Sequence, residues 1–220
     1  MKLKRLFTSM IATMLVVCAF VLTGCVTTGD NSSTTPTTGS KELIMEAEYV
    51  DLDGVKGAGL SSDQQGVNMI YGEGTDEQKK LWSNGYYVYC TYTPDLSLEF
   101  KFNAENEASA SISMYLGSEC GDIKFDPTIL KVELNGTEIA YTGKTIKVNQ
   151  TNEMTFTEVK IATSASLKEG ENIIKLTVLE NTLRAGGNTA GPCIDYVKVK
   201  STTSLSWNPK TDNPSRKGEM

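Results

Sequence analysis

The sequence predicts an all-β domain, an antiparallel β-sandwich with the jelly roll as its leading variant. Three observations carry this. Apolar residues recur at every second position in LSLEFKF (Leu96, Leu98, Phe100, Phe102) and ASASISMYL (Ala108, Ala110, Ile112, Met114, Leu116), the pattern of strands buried on one face. Turn signals separate such runs, the strongest being Asn135-Gly136 after Leu130, Val132 and Leu134, because both central turn positions need positive φ. No long helical pattern intervenes, and EQKKLW, residues 77 to 82, is one or two turns at most. An immunoglobulin-like sandwich is the competing arrangement. It would usually carry a buried Trp in a central strand, and the pattern places neither Trp82 nor Trp207 in one.

From the N-terminus, MKLKRLF is a cationic start and SMIATMLVVCAFVL an apolar run of signal-peptide length rather than a membrane span. The run ends in LTGC, residues 22 to 25. That tetrapeptide resembles the bacterial lipobox, which implies cleavage before Cys25 and a diacylglycerol-bearing cysteine as mature N-terminus. Residues 1–24 are then a lipoprotein signal peptide, and the chain is anchored in the cell envelope, extracytoplasmic and at the cell surface, through lipid alone. Residues 25–40, VTTGDNSSTTPTTGS after the cysteine, have almost nothing to bury and form a tether. Residues 41–200 make the domain, and residues 201–220 read as a polar tail.

Composition removes whole function classes. Loss of Lys2, Lys4 and Arg5 takes the formal charge from −6 to −9, and no basic cluster remains, which argues against nucleic acid as a partner. The chain has no histidine. The commonest general base, the Ser-His and Cys-His pairs and the commonest zinc ligand are therefore all missing. Cys90, Cys120 and Cys193 are too widely spaced for a metal clip; in an exported protein they suggest one disulfide and one odd thiol.

The domain opens with IMEAEYV, which places Glu46 and Glu48 two apart. On a strand both would face the same way. Two like charges on one face repel unless a cation lies between them, and an exposed edge strand is the plainer alternative. DLDG, with Asp51 and Asp53, reads as a turn. After the strands above come FTEVKIA with Val159 and Ile161, the turn LKEG, NIIKLTVL with Ile174, Leu176 and Val178, and CIDYVKVK with Ile194 and Tyr196.

Three segments in this order, EAEYVDLDG, SNGYYVYCTY and the closing FTEVKIATSASLKEGENIIKLTVLENTLRAGGNTAGPCIDYVKVK, resemble the carbohydrate-binding modules of families 6 and 35, jelly rolls often attached to polysaccharide-degrading enzymes. The resemblance implies a structural calcium held by Glu46, Glu48 and Asp195, with backbone carbonyls from the loop near residues 60 to 68. All-oxygen ligation of this kind suits calcium. It also brings the strands of Cys90 and Cys193 near one another, so that a disulfide between them becomes plausible.

The sugar site it implies lies in loops at one end of the sandwich, where aromatic faces meet sugar C–H surfaces and planar polar groups meet hydroxyls. Trp82 stands near the position of the first family aromatic, with Tyr71 beside it. The opposing aromatic falls at Met154 and Phe156, and Cys193 replaces the family's Asn, both departures from the pattern. Asn181, Arg184 and Asn188 supply polar groups, and Arg184 would suit an acidic sugar. The expected function is non-catalytic binding of a polysaccharide or oligosaccharide, in company with polysaccharide-degrading enzymes. The alternatives are an adhesion or assembly protein and, less in keeping with the missing histidine, a small glycan-active enzyme.

Overall fold

The computed structural model describes residues 40–56, 66–72, 77–91, 93–118, 121–147, 155–179 and 192–213. Within them the chain forms strands β1 (Ser40–Glu46), β2 (Ile70–Tyr71), β3 (Tyr87–Val88), β4 (Ser97–Ala104), β5 (Ala108–Ser118) and β6 (Ile123–Phe125). Then follow β7 (Leu130–Leu134), β8 (Thr137–Glu138), β9 (Lys144–Ile146), β10 (Thr155–Leu167), β11 (Gly170–Val178) and β12 (Cys193–Trp207). The only helical segments among the described residues are single 3-10 turns, at Ala47–Tyr49, Gly66–Met69, Gln78–Leu81 and Ser83–Gly85. The expected antiparallel β-sandwich of jelly-roll type is the fold observed.

Every strand pair is antiparallel, and the long β12 builds both layers. Its first part, Cys193–Ser201, lies beside β5, with β10 beyond β5 and β1 on the other side of β12. Its last residues, Leu205–Trp207, pair instead with β4, and β4 continues through β11 and β7 to β8. The two layers close on Leu98, Phe100 and Phe102 from one side and Ile112, Met114, Leu116, Val197 and Val199 from the other, all buried. Each such side chain contributes roughly 1.5–3 kcal/mol by leaving water, so the period-two runs of the sequence are the two inner faces.

The Asn135-Gly136 turn forms as expected, with φ of 52° and 79°, and joins Leu134 to Thr137. Asn135 also ties this hairpin to the next: its Oδ1 accepts from the Ile173 amide at 3.0 Å and its Nδ2 donates to Asn172 Oδ1 at 2.9 Å.

Two expectations are corrected. Glu46 and Glu48 do not share a strand face, because β1 ends at Glu46 and the chain turns into the 3-10 turn Ala47–Tyr49. All three turn residues are buried, which strand alternation could not achieve. The polar tail also begins later than residue 201. Thr203, Leu205 and Trp207 are buried along β12, and the chain then folds back so that Asn213 is buried as well. Small polar residues between the apolar ones hide this from composition, although SLSW keeps the period of two.

Candidate functional site

The end of β1, the start of β12 and the 3-10 turn Ser83–Gly85 converge on three carboxyl groups. The Ser83 amide donates to both carboxylate oxygens of Asp195, at 3.1 and 3.0 Å. The Ser83 hydroxyl contacts Glu46 Oε2 closely and Asp195 Oδ1 at 3.3 Å. A hydroxyl has one proton to donate, so it cannot fully satisfy two ionised acceptors. Asn84, held at φ 54°, donates from Nδ2 to Glu48 Oε1 at 3.1 Å and to the Tyr49 hydroxyl at 2.7 Å. Asn is among the few residues besides Gly that take this left-handed conformation readily. Glu48 Oε2 is buried with no hydrogen-bond partner.

The electrostatics follow from this burial. Glu48 and Asp195 have no exposed surface, and no Lys or Arg is buried among the described residues. Desolvation raises Glu46 to about 7, against the opposing hydrogen bond from Ser83. It raises Asp195 to about 8, helped by the nearby charge of Glu46. Glu48 is pushed well above the usual carboxylate range by burial first and Glu46 second. Two buried carboxyls and a half-buried one side by side, each resisting ionisation, are the condition a bound cation relieves.

The donor chemistry fits a hard cation: hard oxygens, no nitrogen or sulfur ligand, and one buried oxygen without a partner. The placement is not a finished cage. No group of three or more His, Cys, Asp or Glu among the described residues is set to hold a metal ion; Ser83 and Asn84 are hydrogen-bonded to the carboxyls. The carbonyls expected near residues 60 to 68 fall mostly in 57–65, outside the described residues.

On the other side of Trp82 lies a second cluster, Trp82, Tyr87, Phe156 and Cys193, with Tyr71, Tyr89 and Tyr115 packed against it. Trp82 meets Tyr71 and Tyr87 edge-on, at ring-centre distances of 6.4 and 5.1 Å, and Phe156 lies 6.2 Å away. Edge-to-face packing of this kind is favourable in itself. Trp82 is only 7% exposed and Phe156 8%, while Tyr71 is half-buried. Trp82 Nε1 is buried without an acceptor.

The structure thus brings Tyr71, Trp82 and Phe156 together and turns the rings largely toward each other. Tyr87, on β3, is central to the cluster. Asn181, Arg184, Asn188 and Met154, like Cys25 and Cys120, lie outside the described residues. A groove of about 1190 Å³ between residues 49–56, 93–101 and 207–212 includes none of the aromatics expected to bind sugar.

Cys90 and Cys193 are both buried, and no bond joins them here. Ile194 pairs with Val88, and Cys193 is packed in the aromatic cluster, against which Tyr89 lies. Cys90 follows at φ 61°, where the chain turns out of the extended conformation.

Sequence reasoning missed Ser83 and Asn84. The Asn-Gly pair at 84 and 85 signals a positive-φ turn, which forms, but nothing in the sequence says that this turn faces Glu46, Glu48 and Asp195. It also missed a row on the outer face of the β10–β5–β12 layer, where Tyr115 stacks on Phe156 at 6.0 Å and on Tyr196 at 5.0 Å.

With this geometry in hand, solved structures supply relatives in fold. The chain is similar to family 35 carbohydrate-binding modules. A module of this family from Clostridium thermocellum matches at 15% identity and a TM-score of 0.43, covering 73% of this chain and 98% of the module. A second, from an environmental isolate, matches at 15% identity and 0.46, covering 76% and 96%. A third, described as Xyl-CBM35 in complex with a glucuronic acid containing disaccharide, matches at 14% and 0.46, covering 76% and 98%. No protein-family model and no curated protein matches the chain.

Proposed function

We propose that this domain binds a polysaccharide or oligosaccharide without catalysis, on a jelly roll stiffened by calcium. The observation that carries the sugar reading is the cluster of Tyr71, Trp82 and Phe156, in which a buried indole N–H lacks an acceptor. Buried donors are normally paired, and a sugar hydroxyl is the kind of acceptor such a donor lacks, with the half-buried Tyr71 offering the ring for the sugar's C–H face. Arg184, Asn181 and Asn188 are the polar residues proposed to complete the contact. Affinity electrophoresis in gels cast with plant, host or bacterial polysaccharides tests it, with Trp82→Ala and Tyr71→Ala beside the wild type. Retardation of the wild type alone supports the reading; no retardation on any glycan removes it.

Glu46, Glu48 and Asp195 are proposed to hold the calcium. Bound there, the ion would supply positive charge to two buried carboxyls and the half-buried Glu46. What supports this is the burial of Glu48 and Asp195 and the unpartnered Glu48 oxygen. The same burial argues against a catalytic role for them, since substrate would have to displace Ser83 and Asn84 to reach them.

Lipid anchoring through Cys25 at the cell surface, near polysaccharide-degrading enzymes, completes the proposal. It rests on the LTGC motif, and metabolic labelling with a fatty acid, lost in Cys25→Ala, tests it. One observation favours a second reading. Trp82 and Phe156 are buried by other rings, as they would be if the cluster only packs and the domain adheres to another protein; a pull-down from the cell envelope that yields a partner while every glycan fails would select it.

A further inference from the structure

The turn that carries Glu48 is fastened from outside the sandwich by residues that follow the last strand. Asn213 is fully buried. Its Nδ2 donates both protons to this turn, to the Glu48 carbonyl at 3.2 Å and the Val50 carbonyl at 2.6 Å. Three residues earlier, the Lys210 amide donates to the Tyr49 carbonyl at 2.8 Å. The Lys210 ammonium reaches Asp51 Oδ1 at 2.9 Å and Asp53 Oδ2 at 2.8 Å, just beyond the turn. The carbonyls of Glu48, Tyr49 and Val50 are thus each taken by this returning segment.

We propose that Asn213 is a positioning residue for the cation site, acting through the backbone of Glu48 to aim its carboxylate at the ion. The inference rests on the calcium reading above. Burying an amide with two donors costs free energy unless both are used, and here both are used on the one turn whose side chain the site needs. The 3-10 turn makes few bonds of its own; the Val50 amide to the Ala47 carbonyl, at 3.3 Å, is one. Its shape is therefore set by the clamp. Partners that orient a metal ligand without touching the metal typically account for roughly 10–100-fold in affinity.

The test measures calcium affinity by calorimetry, and the melting temperature with calcium and with EDTA, on the whole chain. Four proteins are compared: wild type, Asn213→Ala, Lys210→Ala and Asn172→Ala. Asn172 is the control for a merely structural loss, because it too is a fully buried Asn that donates to two backbone carbonyls, those of Lys168 and Gly170, in the unrelated β10–β11 turn. Asn213→Ala is expected to weaken calcium roughly tenfold or more and to shrink the calcium-induced rise in melting temperature. Asn172→Ala lowers melting in both conditions and leaves affinity within about twofold, as independent sites do. If Asn213→Ala does not fold, the exposed bridge of Lys210→Ala carries the test, with a smaller weakening in the same direction. A wild-type calcium response that neither variant changes more than Asn172→Ala overturns this proposal alone. No response from the wild type overturns the calcium reading and this proposal with it.

Discussion

Trp82, Ser83 and Asn84 are consecutive, yet they serve two regions of opposite character. Ser83 and Asn84 enter a cluster of largely buried carboxyls with no buried Lys or Arg among the described residues. Trp82 enters a cluster of rings that is buried and nearly self-sufficient. In the first, burial is unfavourable to the ionised groups, and on the calcium proposal a bound cation would offset it. In the second, burial is the source of stability, and among the described residues Trp82 Nε1 is the one buried side-chain donor of the cluster left without a partner. The contrast teaches that a demand for a ligand is read from unmet charge and hydrogen bonding, not from residue type: the acidic region asks for a ligand strongly, the aromatic one weakly.

The sharpest way to break this contrast is to remove the charge from the acidic side. A cation present at about a hundred times its dissociation constant adds about 2.7 kcal/mol, which for a domain of this size raises melting by roughly 5–10 °C. Calcium should produce a rise of that order in the wild type and none in Asp195→Asn. The variant should also melt higher than wild type in EDTA, because a neutral amide replaces a carboxyl that resists ionisation. Scanning calorimetry reads both. Equal melting of the wild type with and without calcium would show that the carboxyls manage without an ion.

Titration sharpens the same point. Glu46 at about 7 and Asp195 at about 8 lie above their values in an unfolded chain, so the folded, metal-free protein binds more protons through this range. Stability is then greatest at the acid end, near the unfolded values, and falls as pH rises through about 7 to 8. In EDTA, melting should drop from pH 6 to pH 8. With calcium the drop should shrink, since the ion takes the place of the protons. A metal-free protein equally stable at both pH values would mean that the carboxyls are better compensated than the hydrogen bonds show.

The two regions were also unequally legible in the sequence. Glu46, Glu48 and Asp195 could be named because carboxylate chemistry is specific and their positions match a family pattern. What could not be read was how Glu48 arrives: the strand rule carries both glutamates to one face, whereas the burial of Ala47, Glu48 and Tyr49 together needs a turn. The clamps were invisible for a related reason. Ser83 and Asn213 are ordinary polar residues whose roles depend on contacts 112 and 165 positions apart in the chain, and no local pattern encodes such contacts. The sheet, by contrast, was legible because each strand writes its own burial into a period of two. The aromatic site was half legible. Tyr71, Trp82 and Phe156 do come together, but aromatic residues serve cores and sites alike, and Tyr87 joins them from β3.

On the aromatic side, Tyr71 and Trp82 separate packing from binding. Trp82→Ala should cost about 3–5 kcal/mol of stability, as removal of a buried Trp does, whatever the function. Tyr71 is half-buried, so Tyr71→Ala should cost less and lower glycan retardation several-fold if its ring meets sugar. Retardation unchanged in a well-folded Tyr71→Ala would mark the cluster as packing alone and favour the adhesive reading.

The smallest effect concerns the join between the regions. Ser83 is bonded to Asp195 by its amide and side chain, and Trp82 precedes it with an indole whose N–H has no partner to hold it. A cation that draws the carboxyls together must shift Ser83, and a shift there passes through one peptide bond to the indole. Trp207 is the only other tryptophan and lies at the far end of β12, so Trp207→Phe leaves fluorescence to Trp82 alone. In that variant calcium should change the emission by a small, saturable amount that titrates with the calorimetric affinity and disappears in Asp195→Asn. An emission that ignores calcium while calorimetry records binding would mean that the peptide between Trp82 and Ser83 absorbs the movement. The two clusters would then be neighbours in sequence only, and glycan affinity should not depend on calcium.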